Sequence, residues 1–160
     1  MNPLAWLLGL AFPACGFSAA QGLPVPPPMD TAHIVRPASR NTALAAPNWF
    51  SPAPDLVTPT YPVSADRLFG LIRLVAGEQP RTVQAALYAD RLQVHYVARS
   101  AVLNFLDLIM AQVREEGPAS SDLILYSRSV YGYGDLGVNR KRVETWSDQL
   151  QTKLHPPSER

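Results

Sequence analysis

The chain has 160 residues, the length of one ordinary domain, and 47% of them are apolar, enough for a sizeable core. A net charge of +1 excludes a global field that would draw in nucleic acid or an acidic membrane, and the single cysteine, Cys15, excludes an intrachain disulfide. The cations are lopsided, twelve Arg against two Lys. Arg suits planar pairing with carboxylate or phosphate, although a high-GC coding bias gives the same imbalance.

No charged side chain occurs from Met1 to Met29. Leu4 to Phe12 is an apolar run of secretory h-region length, and Ser18-Ala19-Ala20 places small residues where a leader peptidase reads. Residues 1–20 therefore predict a leader and an exported protein, periplasmic or envelope-associated. The alternatives are membrane anchoring by residues 4–20, lipid attachment at Cys15, or a mis-assigned start codon. Pro13 and Gly16 break the run, which argues against a spanning helix.

Twelve of the sixteen prolines precede residue 63. Pro denies the chain both helix and central strand, so residues 21–62 predict a Pro-rich extended arm. Within it, Trp49 and Phe50 are expected to dock on the folded body as apolar anchors.

From residue 63 to residue 155 the pattern predicts a single domain. Ser64 is an N-cap ahead of Leu68, Leu71, Ile72 and Val75 at helical spacing, and Gly77 closes that helix. Thr82–Tyr88 predicts a strand. Leu92–Arg99 predicts a second, with Leu92, Val94, Tyr96 and Ala98 on one face. Val102–Arg114 predicts a third, with Phe105, Asp107, Ile109, Ala111 and Val113 on one face. EEGPASSD reads as a turn, and Leu123–Arg128 as the fourth strand. Val138–Leu154 predicts a final helix with Val143, Trp146, Leu150 and Leu154 as its apolar stripe. Short connections pair strands antiparallel. The predicted fold is α+β: a four- to five-stranded, mainly antiparallel sheet with two helices packed on one face, preceded by the arm.

Gly132-Tyr133-Gly134-Asp135-Leu136-Gly137 spells G-x-G-x-x-G. A dinucleotide fold also needs a second parallel strand, and only 23 residues follow Gly137. Asp135 would also repel a pyrophosphate. The pattern therefore excludes a nucleotide cofactor and predicts a strand-to-helix turn. In it Gly132, Gly134 and Gly137 permit unusual backbone angles, and Asp135 caps the helix. Arg128, Arg140 and Arg142 lie near that turn, and Arg81 and Arg99 on other strands could join them around an anion. Asp107, on a largely apolar strand, is expected to pair with Arg99 or Arg128.

His33, His95 and His155 are too far apart for a ligand motif, so no metal is expected. A set of Ser100 or Ser127 with His95 and Asp107 has no support in spacing, so no catalytic residue is assigned.

Several segments, in order, resemble one family. They are Pro80-Arg81-Thr82, Tyr96-Val97-Ala98-Arg99-Ser100, Phe105-Leu106-Asp107, Tyr126-Ser127-Arg128-Ser129, and Gly132 to Val143. The family is domain of unknown function 1499, a bacterial and plant family, and the resemblance spans residues 62 to 150. It singles out Arg81, Arg99, Asp107, Ser127, Arg128, Ser129, Asp135, Asn139, Arg140 and Arg142. It implies a leader or membrane segment and supplies no mechanism. Two departures are Asn104, where the family has Gly, and Val130, where it often has Arg.

The sequence thus predicts a non-enzymatic envelope domain. It would bind a small anion, a lipid headgroup or a protein partner, the partner being a membrane or envelope protein and not nucleic acid. The candidate ligand set is Arg81, Arg99, Arg128, Arg140 and Arg142. Asp107, Ser127, Ser129, Asn139 and the turn residues are structural. The alternatives are a hydrolase using Asp107 with a nearby Ser or His, and a purely structural or assembly factor.

Overall fold

The computed structural model describes residues 24–39, 41–100 and 104–155. The predicted leader, residues 1–20, lies outside the described residues. Among the described residues no helix is long and apolar enough to cross a membrane.

Among the described residues two α-helices and six strands follow in the order β1 Thr42–Ala46, β2 Leu56–Val57, α1 Ala65–Gly77, β3 Thr82–Tyr88, β4 Gln93–Arg99, β5 Leu106–Gly117, β6 Ser120–Ser129 and α2 Val138–Leu154. The six strands form one sheet, β2-β1-β6-β5-β4-β3. The β1–β2 pair is parallel and the others are antiparallel. The fold is α+β with a six-stranded mixed sheet, not the four to five strands expected.

The two extra strands come from residues 21–62, so a continuous extended arm is not what the structure holds. Thr42–Ala46 lies between Pro37 and Pro47, clear of both rings. It is free to donate its amides, and it sits inside the sheet beside β6. Four of its five residues are buried. The EEGPASSD segment also differs from expectation. Both strands run through it, and only Pro118 and Ala119 make the turn.

Helix α1 begins where Ser64 accepts from the Arg67 amide, 3.4 Å, and buries Leu68, Phe69, Ile72 and Val75. Helix α2 buries Val143, Trp146 and Leu150. Both stripes meet the sheet face carrying Ala43, Ala45, Val94, Tyr96, Ala98, Ile109, Ala111, Val113, Leu123 and Leu125. Tyr96 meets Trp146 edge-on, with centroids 5.8 Å apart.

The opposite face carries Leu44, Ala46, Met110, Ile124 and Tyr126, covered by Ile34 and Phe50 with Met29 packed beside them. Gln93 fastens the N-terminal segment there: its amide accepts from the Met29 N–H at 2.7 Å and donates to the Met29 carbonyl at 2.8 Å. Tyr88 donates to the Pro26 carbonyl at 2.6 Å. Phe50 is buried, whereas Trp49 is half exposed beneath the Arg114 guanidinium, 4.7 Å from its ring centre.

Candidate functional site

Strand pairing decides where each candidate side chain goes. Ala98 faces Asp107 across β4 and β5, and Asp107 faces Ser129 across β5 and β6. Side chains alternate along a strand, so Asp107, Ser127 and Ser129 point to the helix face, while Arg99 and Arg128 point to the other. Asp107 therefore does not pair with Arg99 or Arg128. Its partner is Arg142 of α2, whose Nη2 donates to Asp107 Oδ2 at 2.6 Å. The other carboxylate oxygen accepts from the Ser129 hydroxyl at 2.7 Å.

Asn139 is the centre of this buried network, with no exposed surface. Its Nδ2 lies within hydrogen-bond reach of three oxygens: Asn41 O at 2.9 Å, Ser129 Oγ at 2.9 Å and Asp135 Oδ2 at 2.7 Å. The amide has two hydrogens, so the three contacts share them. Its Oδ1 accepts from Ser127 Oγ and from Arg142 Nη1, the latter at 2.8 Å. One side chain thus ties α2 to β1, β6 and the glycine turn. Arg142 adds β5.

Asp135 reaches forward to the start of α2. It accepts from the Gly137 amide at 3.0 Å and the Asn139 amide at 2.8 Å, two donors that the helix itself leaves unpaired. Gly132 and Gly137 have φ of 87° and 80°, the left-handed region that favours glycine. Gly134 has no such angle, so its expected role in the turn is corrected. Leu136 has φ 54° and is fully exposed. Space around a Cβ at Gly137 is open, so Gly137→Ala is expected to cost only the backbone term, about 1 kcal/mol. Thermal unfolding checks this. Asn104 has φ 55°, a region that Asn tolerates better than most residues.

The five candidate arginines do not meet in one place. Arg140 points outward to Glu144, 2.9 Å away, with both side chains substantially exposed. Arg128 is exposed on the opposite sheet face, and its side chain makes no hydrogen bond or ion pair among the described residues. Arg81, Arg99 and Arg142 do line a common groove of about 360 Å³ between β3, β4 and the first turns of α2. Lys141, which sequence reasoning did not single out, completes it. Ser100, Thr82 and Thr145 add hydroxyls, and no carboxylate lines the groove among the described residues. Arg81 has φ 53°, and its Nε donates to the Arg99 carbonyl at 3.1 Å, fixing the guanidinium at the rim. Arg81 and Lys141 make no ion pair among the described residues.

Among the described residues the candidate Ser, His and Asp side chains do not come together. Ser127 and Asp107 are buried under α2, with their hydroxyl and carboxylate committed to Asn139, Ser129 and Arg142. His95 is on the other face, 2.9 Å from Gln93 Oε1, and burial lowers its pKa, keeping the ring neutral. Among the described residues no three His, Cys, Asp or Glu side chains gather as metal ligands.

The family model described as "Protein of unknown function (DUF1499)" matches residues 30–150. The chain belongs to that family. Comparison with curated protein sequences gives no match.

Proposed function

We propose that this member of the family is a non-enzymatic binding module that holds an oxyanion of the phosphate class in the groove between β3, β4 and α2. The carrying observation is the groove lining: the cationic side chains of Arg81, Lys141 and Arg142 and several hydroxyls, with no carboxylate among the described residues. Arg142 is neutralised by Asp107, but Arg81 and Lys141 have no such counter-charge among the described residues. Two uncompensated cations beside hydroxyl donors favour a bound anion by charge-assisted hydrogen bonds. The apolar run Leu4–Phe12 and the small residues Ser18-Ala19-Ala20 support an exported, envelope-associated setting.

The hydrolase reading loses its support here, because Asp107, the serines and His95 are dispersed or occupied.

Isothermal titration with inorganic phosphate tests the proposal. Vesicles of phosphatidylglycerol or phosphatidylcholine form a second arm that separates a free anion from an anionic lipid headgroup. Arg81→Gln and Lys141→Gln are each expected to lower anion affinity about tenfold, as loss of a charge-assisted contact does. The melting temperature should not move. Affinity should also fall as salt rises. Unchanged binding in the double variant would refute the site.

A further inference from the structure

The opposite face of the sheet holds a recess with different chemistry. Pro26–Met29 form its roof, and Leu108, Met110, Tyr126 and Arg128 contribute to its floor and rim, enclosing about 230 Å³. Past Met29 a neighbouring recess continues along Ile34, Val35 and Pro37, with Tyr126 and Arg128 common to both. The walls are mostly apolar.

Two donors at this junction have no protein acceptor in hydrogen-bonding geometry among the described residues, the solvent-exposed Arg128 guanidinium and the buried Tyr126 hydroxyl. The Arg128 side chain has no hydrogen bond or ion pair among the described residues. Tyr126 is only 3% exposed, and its hydroxyl has no hydrogen-bond partner. Burial pushes the Tyr126 phenol up; the positive charges of Arg128 and Arg36 and the neighbouring Thr42 hydroxyl act against that shift, and Asp55 adds to it. Of the carboxylates nearby, Asp55 is already held by Arg36 at 2.6 Å and Asp30 lies 2.7 Å from His33 Nδ1. His95, also on the wall, is neutral and bonded to Gln93. Thr42 Oγ1 beside Tyr126 already accepts from the Arg36 guanidinium, and no described residue gives the Tyr126 hydroxyl an acceptor in hydrogen-bonding geometry, whereas a buried hydroxyl is normally paired.

We propose that this recess binds a small amphipathic carboxylate. Its acyl chain would lie on Leu108 and Met110 beneath Pro26–Met29, and its head would accept hydrogen bonds from the Arg128 guanidinium and the Tyr126 hydroxyl. An inorganic oxyanion would give up hydration to apolar walls without return. A neutral hydrocarbon would leave the buried Tyr126 hydroxyl unpaired and offer the Arg128 guanidinium no counter-charge. Only a ligand with both parts satisfies both. The volume lies below the roughly 300–1,000 Å³ of drug-sized sites, which selects a short chain. The site is on the other side of the sheet from the phosphate groove and does not depend on it.

Titration of the full chain with octanoate, acetate and octan-1-ol is the test. Octanoate is expected to bind, with acetate and octan-1-ol each at least about tenfold weaker. Arg128→Gln should weaken octanoate about tenfold and leave phosphate affinity unchanged. Tyr126→Phe should weaken octanoate while the melting temperature holds or rises, since a buried unpaired hydroxyl is removed. A hydroxyl that only filled space would leave octanoate affinity unmoved. No octanoate binding, equal affinity for octan-1-ol, or wild-type affinity in Arg128→Gln would each overturn the inference. Loss of octanoate binding in Lys141→Gln instead would place the ligand in the phosphate groove and overturn it too, leaving the groove proposal standing.

Discussion

Replacing Asn139 by alanine is expected to destabilise the protein by about 3–5 kcal/mol, since several buried polar groups lose partners at once. For a chain of this length that lowers the melting temperature by roughly 10 °C. The residue is fully buried, and five groups use its amide: Asn41 O, Ser129 Oγ, Asp135 Oδ2, Ser127 Oγ and Arg142 Nη1. Some of these keep another partner. Asp135 retains the Gly137 and Asn139 amides, and the Asn41 carbonyl retains the Ser129 amide at 2.9 Å. The Ser127 hydroxyl keeps only Arg142 Nη1, at 2.9 Å. The cost is therefore shared between unmet hydrogen bonds and the void left by the side chain. Urea and thermal unfolding measure it, and a melting temperature equal to wild type would show that Asn139 is not the hub.

The second large effect is at Asp107 and Arg142. Arg142→Met leaves the Asp107 carboxylate, itself nearly buried, with only the Ser129 hydroxyl. Asp107→Leu leaves the guanidinium without its counter-charge. Breaking a buried pair from one side costs about 3–5 kcal/mol, because a charge is left uncompensated. The double variant Asp107→Leu/Arg142→Met removes both charges together. It is expected to be more stable than the sum of the single changes predicts, by well over the few tenths seen for independent sites. A double-mutant cycle by urea unfolding reads this coupling, and simple additivity would contradict the pair's role.

Local pattern carried part of this arrangement. The helical stripes of α1 and α2 were visible because each buries one face, and their periodicity follows from that alone. Asp135 capping Gly137 and Asn139 spans at most four residues, so spacing was enough to suggest it. Parity within a strand was visible too. Tyr96 and Ala98 face the helices, which sends Arg99 the other way. The register between strands was not visible, and it is register that puts Asp107 opposite Ser129 and beneath Arg142. Asn41 was missed for a related reason. It contacts Asn139, 98 positions later, and no local signal spans that distance.

Strand β1 shows how tertiary context overrides a neighbourhood. TALAA has no Val, Ile or aromatic residue and sits among prolines. Its strand conformation comes from pairing with β6 and from cover on both faces, where Ala43 and Ala45 meet the helices and Leu44 and Ala46 meet the N-terminal segment. The R-K-R segment divided in an equally non-local way. Arg142, three residues after Asn139, turns inward with it; Lys141 turns to the groove; Arg140 turns to Glu144. Three adjacent cations therefore do three different things.

That division is tested most directly by titrating inorganic phosphate into the wild-type chain and into the Arg81→Gln/Lys141→Gln variant, with melting temperatures taken alongside. Phosphate binding in the wild type, lost in the variant at an unchanged melting temperature, is the predicted result. Wild-type protein that gives no response to phosphate or to phosphatidylglycerol vesicles, or a variant that binds as tightly as wild type, would contradict it.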